Sequence, residues 1–271
     1  TFNEKSIMLQ ASHPFVTRLF GTFQDDVCVH MVIEPALGGE LFALLDDVHS
    51  FDESMARFCA ACVVSAFVHL HELRIAYRDL KPENLLFDSK GYVKLCDFGF
   101  AKVITSRSWT LVGTPEYFAP ELIQNKGHSL PVDWWALGVL VFEMLSGKAP
   151  FSAKDPMALY QKICKAQVAY PSHVSKRARG FIGSLLQLRV PQRLGTLSSD
   201  DVKDHAFFKS ISDWSKLTER QIKPPYVPAV QGDRDLSAFV DADQDSGFLE
   251  PKWNQPPDPA DQVQFEGFAT S

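Results

Sequence analysis

The sequence has no run of 18 or more apolar residues, no cysteine spacing typical of disulfides and no stripe of basic residues. Because a membrane-spanning helix needs about 20 apolar residues, we expect no membrane span. Five cysteines, an odd number, are typical of a reducing compartment, and we expect a cytoplasmic protein. Cys59 and Cys62 form a C-x-x-C pair, but they lie in an apolar helical stretch without a second pair, which favours core packing over a metal site.

The chain also lacks a basic region that would bind nucleic acid. Its net charge is −6, and residues 224–271 alone carry nine acidic and two basic residues, a net charge of −7. The remainder is close to neutral, so the sequence predicts no nucleic-acid partner. The same segment holds seven of the 17 prolines without a helical or alternating pattern, which indicates an extended tail rather than a second domain.

Hydrophobic periodicity predicts a domain with large helices and a few short strands. Residues 51–73 carry apolar side chains at helical spacing, and residues 132–146 are apolar nearly all round, as expected of a central helix. Two more amphipathic helices are predicted at 156–164 and 176–188. The strand-like runs are 16–23, 27–33, 85–87 and 92–95.

Two short blocks carry most of the chemical information. Residues 77–84 read Y-R-D-L-K-P-E-N, and Asp97-Phe98-Gly99 follows. Asp79 would orient a substrate hydroxyl, and Lys81 would supply a fixed positive charge, as in-line phosphoryl transfer requires. Asn84 and Asp97 offer hard oxygen ligands for Mg²⁺. Isolated Asp and Asn residues often only cap turns. Three of them in this order, together with Lys81, favour a catalytic site.

These blocks, together with Ala119-Pro120-Glu121, resemble the signatures of the eukaryotic protein kinases, with Tyr77 where the family template has His. The resemblance covers essentially the whole chain. It implies an α+β bilobal fold with a complete, mostly helical C-lobe and an incomplete β-sheet in the N-lobe. We expect an N-lobe remnant at 1–33, the hinge and C-lobe at 34–208, and a C-terminal tail at 209–271.

The tail narrows the resemblance to the AGC group of kinases. Phe265 and Phe268 form an F-x-x-F motif near the terminus, similar to the hydrophobic motif that regulates that group. Tyr77 is typical of the cyclic-nucleotide-dependent members. Residues 125–128 look closest to the cGMP-dependent branch, whereas the F-x-x-F ending looks closer to the cAMP-dependent catalytic subunit. The resemblance therefore implies a serine/threonine kinase controlled by a cyclic-nucleotide-binding domain or subunit.

The same resemblance implies Mg-ATP as the cofactor and assigns its contacts. Glu4 matches the partner of the phosphate-binding lysine, Ile33 matches the gatekeeper, and Phe239 matches a tail residue at the adenine pocket. The residues expected to contact or flank the nucleotide are Glu4, Ile33, Glu34, Ala36, Glu40, Leu86, Cys96 and Phe239.

The substrate residues are likewise assigned by the resemblance. Three acids, Glu40, Glu83 and Glu143, match positions that meet arginines before the acceptor, which predicts protein substrates of the R-R-x-S/T type. An apolar pocket for the residue after the acceptor is expected from Leu111, Pro115 and Phe118.

Regulation by phosphorylation is implied by the segment that follows Asp97. Thr110 matches the family's phosphorylation site, and Arg78 and Lys102 would pair with its phosphate. Glu121 and Arg193 match the ion pair that fixes the end of this segment.

No G-x-G-x-x-G string and no V-A-I-K-type lysine precede the catalytic blocks. We therefore expect this chain by itself to be weakly active or inactive, and its parent to be an active kinase. The sequence leaves a second function open, in which the chain is a non-catalytic kinase fragment that acts as a docking or regulatory module.

Overall fold

The computed structural model describes residues 1–25, 28–211, 213–239 and 267–269. The helices are α1 (Phe2–Gln10), α2 (Leu41–Val48), α3 (Glu53–Glu72), α4 (Pro120–Ile123), α5 (Pro131–Ser146), α6 (Pro156–Lys165), α7 (Lys176–Leu185), α8 (Asp200–Lys203) and α9 (Trp214–Thr218). The strands are β1 (Leu19–Gln24), β2 (Val29–Ile33), β3 (Ile75–Ala76), β4 (Leu85–Phe87), β5 (Val93–Leu95) and β6 (Lys102–Val103). Short 3₁₀ turns lie at Pro82–Asn84, Pro115–Tyr117, Val190–Gln192 and Ala206–Phe208.

The strands form three separate antiparallel pairs within the described part of the chain. β1 pairs with β2, β3 with β6, and β4 with β5. Helices make up most of the remaining structure, so the predicted α+β class and the partial β-sheet of the first lobe are confirmed. The strand predicted from residue 16 begins only at Leu19, because Val16 instead makes an isolated parallel bridge with Leu95 of β5.

The core is built on α3 and α5, the two helices whose apolar residues cover nearly all faces. α3 begins where the Asp52 carboxylate accepts a hydrogen bond of 2.7 Å from the Met55 amide, a regular N-cap. α5 ends at Gly147, which has a left-handed φ of 73°. A Cβ at this position would lie 2.1 Å from the His49 carbonyl oxygen, so both the backbone conformation and the contact require glycine.

α3 is long and apolar enough to span a membrane, and it is the one such helix in the part of the chain that the structure describes. However, 83% of its apolar window is buried inside the fold, as expected of a core helix. The absence of a membrane span remains a prediction.

Most predicted helices agree with the structure, and the largest difference is at the end of α7. The pattern extended this helix to residue 188, but it ends at Leu185. Leu186 leaves the helical region with φ −83° and ψ 47°. The Leu194 amide then donates to the Ser184 carbonyl at 2.9 Å, so the chain that folds back takes over a hydrogen bond that a longer helix would have used.

Residues 213–239 run back along the body of the domain. Leu217 of α9 is fully buried, and the ring of Tyr226 packs edge-on against Phe87 with centroids 5.2 Å apart. Arg220 donates to the Pro14 carbonyl at 2.6 Å and pairs with Asp88 at 3.2 Å. Apart from the short helix α9, this stretch is therefore held mainly by side-chain contacts, and none of its described residues pairs in a sheet. The expected boundary at residue 209 stays a prediction.

One buried ion pair fixes the start of α4 to the turn before α8. Arg193 Nη1 and Nη2 lie 2.7 and 2.9 Å from Glu121 Oε1 and Oε2, and the guanidinium is fully buried. Arg193 also donates to the carbonyls of Pro131 and Gln187 and lies 5.2 Å from the centre of the Trp135 ring. Because all its neighbours are fixed, removal of either partner leaves an uncompensated buried charge.

We predict that Arg193→Met lowers the free energy of unfolding by about 3–5 kcal/mol, because the Glu121 carboxylate loses its partner in a dry site. Lys203→Met is the matched control: it breaks the exposed Lys203–Asp200 pair of 3.2 Å and should cost less than about 1 kcal/mol. Urea unfolding of both variants measures the difference. Equal, small losses would contradict this role for the buried pair.

Candidate active site

A single carboxylate on α5 positions the loop that bears the candidate catalytic residues. Asp133 is 1% exposed, and its Oδ2 accepts hydrogen bonds from His71 Nε2 at 2.8 Å and the Tyr77 amide at 2.9 Å. Its Oδ1 accepts from the Arg78 amide at 2.9 Å. Arg78 has φ 69°, a left-handed conformation that is uncommon for a non-glycine residue. The two backbone donors therefore hold the chain in a strained turn immediately before Asp79.

Asp79, Lys81 and Asn84 converge in this turn. Lys81 Nζ lies 3.3 Å from Asp79 Oδ2, and Asn84 Nδ2 donates to the same oxygen at 2.8 Å and to the Asp79 carbonyl at 2.9 Å. Asp79 is 3% exposed, and its other carboxylate oxygen accepts from the Thr114 hydroxyl at 3.3 Å. Because the Asn84 amide nitrogen donates to Asp79, the amide oxygen is the atom that can act as a ligand.

Asp97 is brought to the same site by the strand pair β4–β5. The Cys96 amide donates to the Asn84 carbonyl at 3.0 Å, which joins the two predicted metal-binding segments. Asp97 is exposed and has φ 53°, and its Oδ1 accepts from the Gly99 amide at 2.9 Å. Burial, followed by the neighbouring Asp97 charge, raises the pKa of the Cys96 thiol to about 12, so the thiol is protonated at neutral pH. The backbone segments that carry the predicted ligands Asn84 and Asp97 therefore lie side by side.

Glu4 on α1 faces the same region. Burial and, after it, the charge of Asp97 raise the pKa of the Glu4 carboxyl. The neighbouring Asn3 donates to the Ala101 carbonyl at 2.8 Å, which ties α1 to the segment after Asp97-Phe98-Gly99. The Glu4 carboxyl group is therefore close enough for the negative charge of Asp97 to raise its pKa. A cation between the two groups would stabilise both carboxylates.

The predicted hinge residues connect β2 to α2. The Glu34 amide donates to the Arg18 carbonyl at 2.8 Å, and its carboxylate accepts from buried Lys94 at 2.8 Å. Ile33 is 40% exposed and Ala36 is buried. Glu40 makes an isolated antiparallel bridge with Leu86. The strand segment 85–87 therefore lies directly beside the end of the hinge segment.

The described part of the tail reaches this region at Gly39. A Cβ at Gly39 would lie 3.1 Å from Ala238 Cβ, so the residue before Phe239 passes over the end of the hinge. Phe239 is half-buried, and its amide donates to the Leu236 carbonyl at 2.8 Å.

Two of the three predicted substrate acids, Glu83 and Glu143, lie close enough for the charge of Glu83 to act on Glu143. Burial raises the pKa of the Glu143 carboxyl. The Tyr117 hydroxyl donates a hydrogen bond to this carboxyl and lowers its pKa, whereas the charges of Glu83 and Glu116 raise the pKa further. Glu83 is exposed and Glu40 is half-buried. Glu116 was not among the sequence-predicted acids. Such clustered acids favour a basic ligand.

The residues expected to form an apolar pocket differ in exposure. Leu111 and Pro115 are exposed, whereas Phe118 is 6% exposed and stacks on Tyr160 with ring centroids 6.4 Å apart. Phe118 therefore contributes to the packing beneath this surface.

The expected regulatory cations meet a serine instead of Thr110. Arg78 Nη1 and Lys102 Nζ each lie 3.3 Å from the Ser108 hydroxyl, which is almost fully buried, and Thr110 is exposed. Arg78 Nε also donates to the Phe100 carbonyl at 2.8 Å. This arrangement belongs to the unphosphorylated chain.

Phe268 is fully buried against α1, with its ring edge-on to Phe2 at 5.4 Å and Lys5 Nζ 5.1 Å from the ring centre. Its carbonyl accepts from the Thr22 hydroxyl at 2.6 Å and from Lys5 Nζ. Phe265 lies outside the described residues.

Sequence reasoning missed Asp133, Thr114 and Ser108. A signal existed for Asp133, because it is one of only two acids in the apolar run 132–146, and an acid buried there needs hydrogen-bond donors. Thr114 and Ser108 carry no such signal, since Ser and Thr are common in exposed segments.

Comparison with known proteins identifies the family to which the chain belongs. A model of the protein kinase domain matches residues 1–208. The cAMP-dependent protein kinase catalytic subunit PRKX of Homo sapiens is 47% identical over 88% of this chain and 66% of its own length. The cGMP-dependent protein kinase, isozyme 1 of Drosophila melanogaster is 46% identical over 88% of this chain and 32% of its own length. The cAMP-dependent protein kinase catalytic subunit of Schizosaccharomyces pombe is 47% identical over 92% of this chain and 50% of its own length. The chain thus spans less than two thirds of each of these relatives.

We predict that Asp133→Asn lowers the free energy of unfolding by about 2–4 kcal/mol, because an amide cannot accept all three hydrogen bonds and leaves buried donors unpaired. The exposed Asp47 provides the control, and Asp47→Asn should change stability by less than about 0.5 kcal/mol. Urea unfolding followed by circular dichroism measures both. A loss at Asp133 no larger than at Asp47 would contradict its role in holding the loop.

Proposed function

Because this chain belongs to the protein kinase domain family, and within it to the AGC group with the cyclic-nucleotide-dependent kinases, we propose that it transfers the γ-phosphate of Mg-ATP to serine and threonine residues of proteins. The observation that carries the proposal is the convergence of Lys81 and Asn84 on the carboxylate of Asp79, with Asp97 brought alongside by the hydrogen bond between Cys96 and Asn84.

In this mechanism Asp79 accepts a hydrogen bond from the substrate hydroxyl and orients its oxygen towards the phosphorus. The contacts from Thr114, Lys81 and Asn84 fix the carboxylate before the substrate arrives. Such preorganisation accelerates an in-line displacement by positioning, and Lys81 offsets the negative charge of the transferring group.

The donor set fits a magnesium nucleotide. Asn84 Oδ1 and the exposed Asp97 carboxylate are hard oxygen ligands on neighbouring segments, and Mg²⁺ held there would neutralise the charge of the nucleotide phosphates. The hinge backbone at Glu34 and Ala36, with Ile33, Glu40, Leu86 and Cys96, would bind the remainder of ATP. Glu4 would hold a cation for the phosphates, and Phe239 would cover the adenine.

The acidic group supports a preference for arginine-rich proteins. The charges of Glu83 and Glu116 raise the pKa of the Glu143 carboxyl, which is also partly desolvated. A guanidinium that enters this group relieves the repulsion between the carboxylates, which is worth more in a half-buried site than on an open surface. We therefore assign R-R-x-S/T-type sequences to this cleft, with Leu111, Pro115 and Phe118 at the next substrate residue.

We also propose two levels of regulation. Phosphorylation of Thr110 would give Arg78 and Lys102 an anionic partner and order the activation segment. A cyclic-nucleotide-binding domain or subunit would control the kinase, as the names of its relatives suggest for them. As a further element of regulation, the motif formed by Phe265 and Phe268 would act through the contact of Phe268 with α1. All five cysteines are free thiols, which supports a cytoplasmic location.

We predict that the parent protein that contains this chain phosphorylates an R-R-x-S peptide in the presence of Mg-ATP, and that Asp97→Ala in it reduces the rate about 100-fold or more, because a metal ligand is lost. Kinases turn over at roughly 1–100 s⁻¹, so even a thousandfold weaker activity is measurable. Asp47→Ala, at an exposed site on α2, is the control and should keep the full rate.

Equal rates for the Asp97→Ala and unmodified proteins would contradict the proposed mechanism. If neither transfers phosphate or binds ATP while both still bind the peptide, the alternative of a docking or regulatory module is favoured instead.

We further predict that Glu83→Ala lowers kcat/KM about tenfold for the R-R-x-S peptide and leaves it unchanged for a peptide whose arginines are replaced by alanine. Glu72→Ala, which removes an exposed acid at the end of α3, should affect neither peptide. Equal losses on both peptides would show that Glu83 supports the fold of the loop rather than substrate choice.

A further inference from the structure

The pocket around Ser108 gathers more positive charge than its described contacts balance. Arg78 and Lys102 both point to the Ser108 hydroxyl, a neutral group that is 1% exposed. A third nitrogen-bearing side chain, His128, lies with Nε2 3.5 Å from Arg78 Nη1 and is 3% exposed. Two permanent cations and an imidazole thus face one hydroxyl in a site from which water is largely excluded.

The backbone fixes His128 beside the activation segment. The Ser108 amide donates to the His128 carbonyl at 2.8 Å, and the His128 amide donates back to the Ser108 carbonyl at 2.9 Å. Gly127, with φ 71°, lets the Trp109 ring pack on this turn, since a Cβ there would lie 3.0 Å from the ring. Thr110 is two residues beyond Ser108, so a phosphate on its hydroxyl is within reach of the same pocket.

His128 is neutral in the unphosphorylated chain. Burial and then the Arg78 charge lower its pKa to about 4; Glu121 and Asp133 act in the opposite direction, and Lys102 lowers it again. A phosphate dianion in the pocket would reverse the sign of the local potential and favour the imidazolium.

We propose that His128 is a third ligand of a phosphate on Thr110, beside Arg78 and Lys102, and that it takes up a proton when the phosphate docks. This inference rests on the proposed phosphorylation of Thr110. Since the docked state binds the extra proton, docking strengthens as the pH falls through the docked-state pKa of His128 towards its lower undocked value. The second ionisation of the phosphate, near pH 6, acts in the opposite direction, so the two contributions have to be separated by a variant.

The test uses the full chain with phosphothreonine encoded at position 110, both unmodified and as His128→Gln. A broad-specificity phosphatase removes the phosphate, and the ratio of the two rates at each pH cancels the pH dependence of the phosphatase and of the phosphate itself. We expect His128→Gln to be dephosphorylated about three- to tenfold faster at pH 6.5 and no more than about twofold faster at pH 8.5. His128→Asn serves as a second variant, and His49→Gln, at an exposed site, is the control.

A ratio that is the same at both pH values would overturn the proposal, because it would indicate that His128 only supports the packing of the segment. Lys102→Ala distinguishes two claims, that the phosphate docks in this pocket and that His128 is one of its ligands. If it accelerates dephosphorylation while His128→Gln does not, the phosphate docks without His128 and this inference alone fails. If neither variant changes the rate, the phosphate does not dock in the pocket, and the proposed regulation fails with it.

Discussion

The buried carboxylate of Asp133 is the constraint on which the site depends. Burying an ionised group is costly unless it is fully hydrogen-bonded, and Asp133 finds its donors in His71 and in the amides of Tyr77 and Arg78. Its position is fixed because α5 is the central helix of the core. Asp133 thus connects the rigid apolar core to a loop whose backbone makes no α-helix or sheet hydrogen bonds. Its two charge-assisted hydrogen bonds to the backbone stabilise the strained φ of Arg78.

The same principle extends through the molecule, since small sheets cannot order its long connections. The described strands form only two-stranded pairs, so polar contacts between distant residues do this work. Asn84 ties the candidate catalytic loop to Cys96, and the Glu121–Arg193 pair anchors the start of α4. Each contact is strong because it is shielded from water. Each is specific because a buried polar group without its partner would cost free energy. The kinase site is therefore assembled from single buried contacts between segments far apart in sequence.

Sequence reasoning located the helices and the motif residues, which depend on local sequence. It missed most of the contacts between residues that lie far apart in the chain. Helices α3 and α5 followed from periodicity, and the residues of the proposed chemistry followed from two short motifs. The partner of Tyr77 lies 56 positions away, and no local pattern reports such a pairing. Ser108 was missed for the same reason, since a serine in a loop becomes informative only when two cations converge on it. The end of α7 was misplaced because no helix-breaking residue terminates it. Instead, the segment that folds back at Leu194 takes the hydrogen bond that would continue the helix.

The measurement that tests this account most directly is residue-resolved hydrogen exchange at the amides of Tyr77 and Arg78. If Asp133 holds the loop as described, both amides should exchange with opening free energies close to those of the core amides in α5, even though they lie outside any helix or strand. If they exchange orders of magnitude faster than α5, the loop opens independently of the core. Asp133 would then not be the constraint that organises the site.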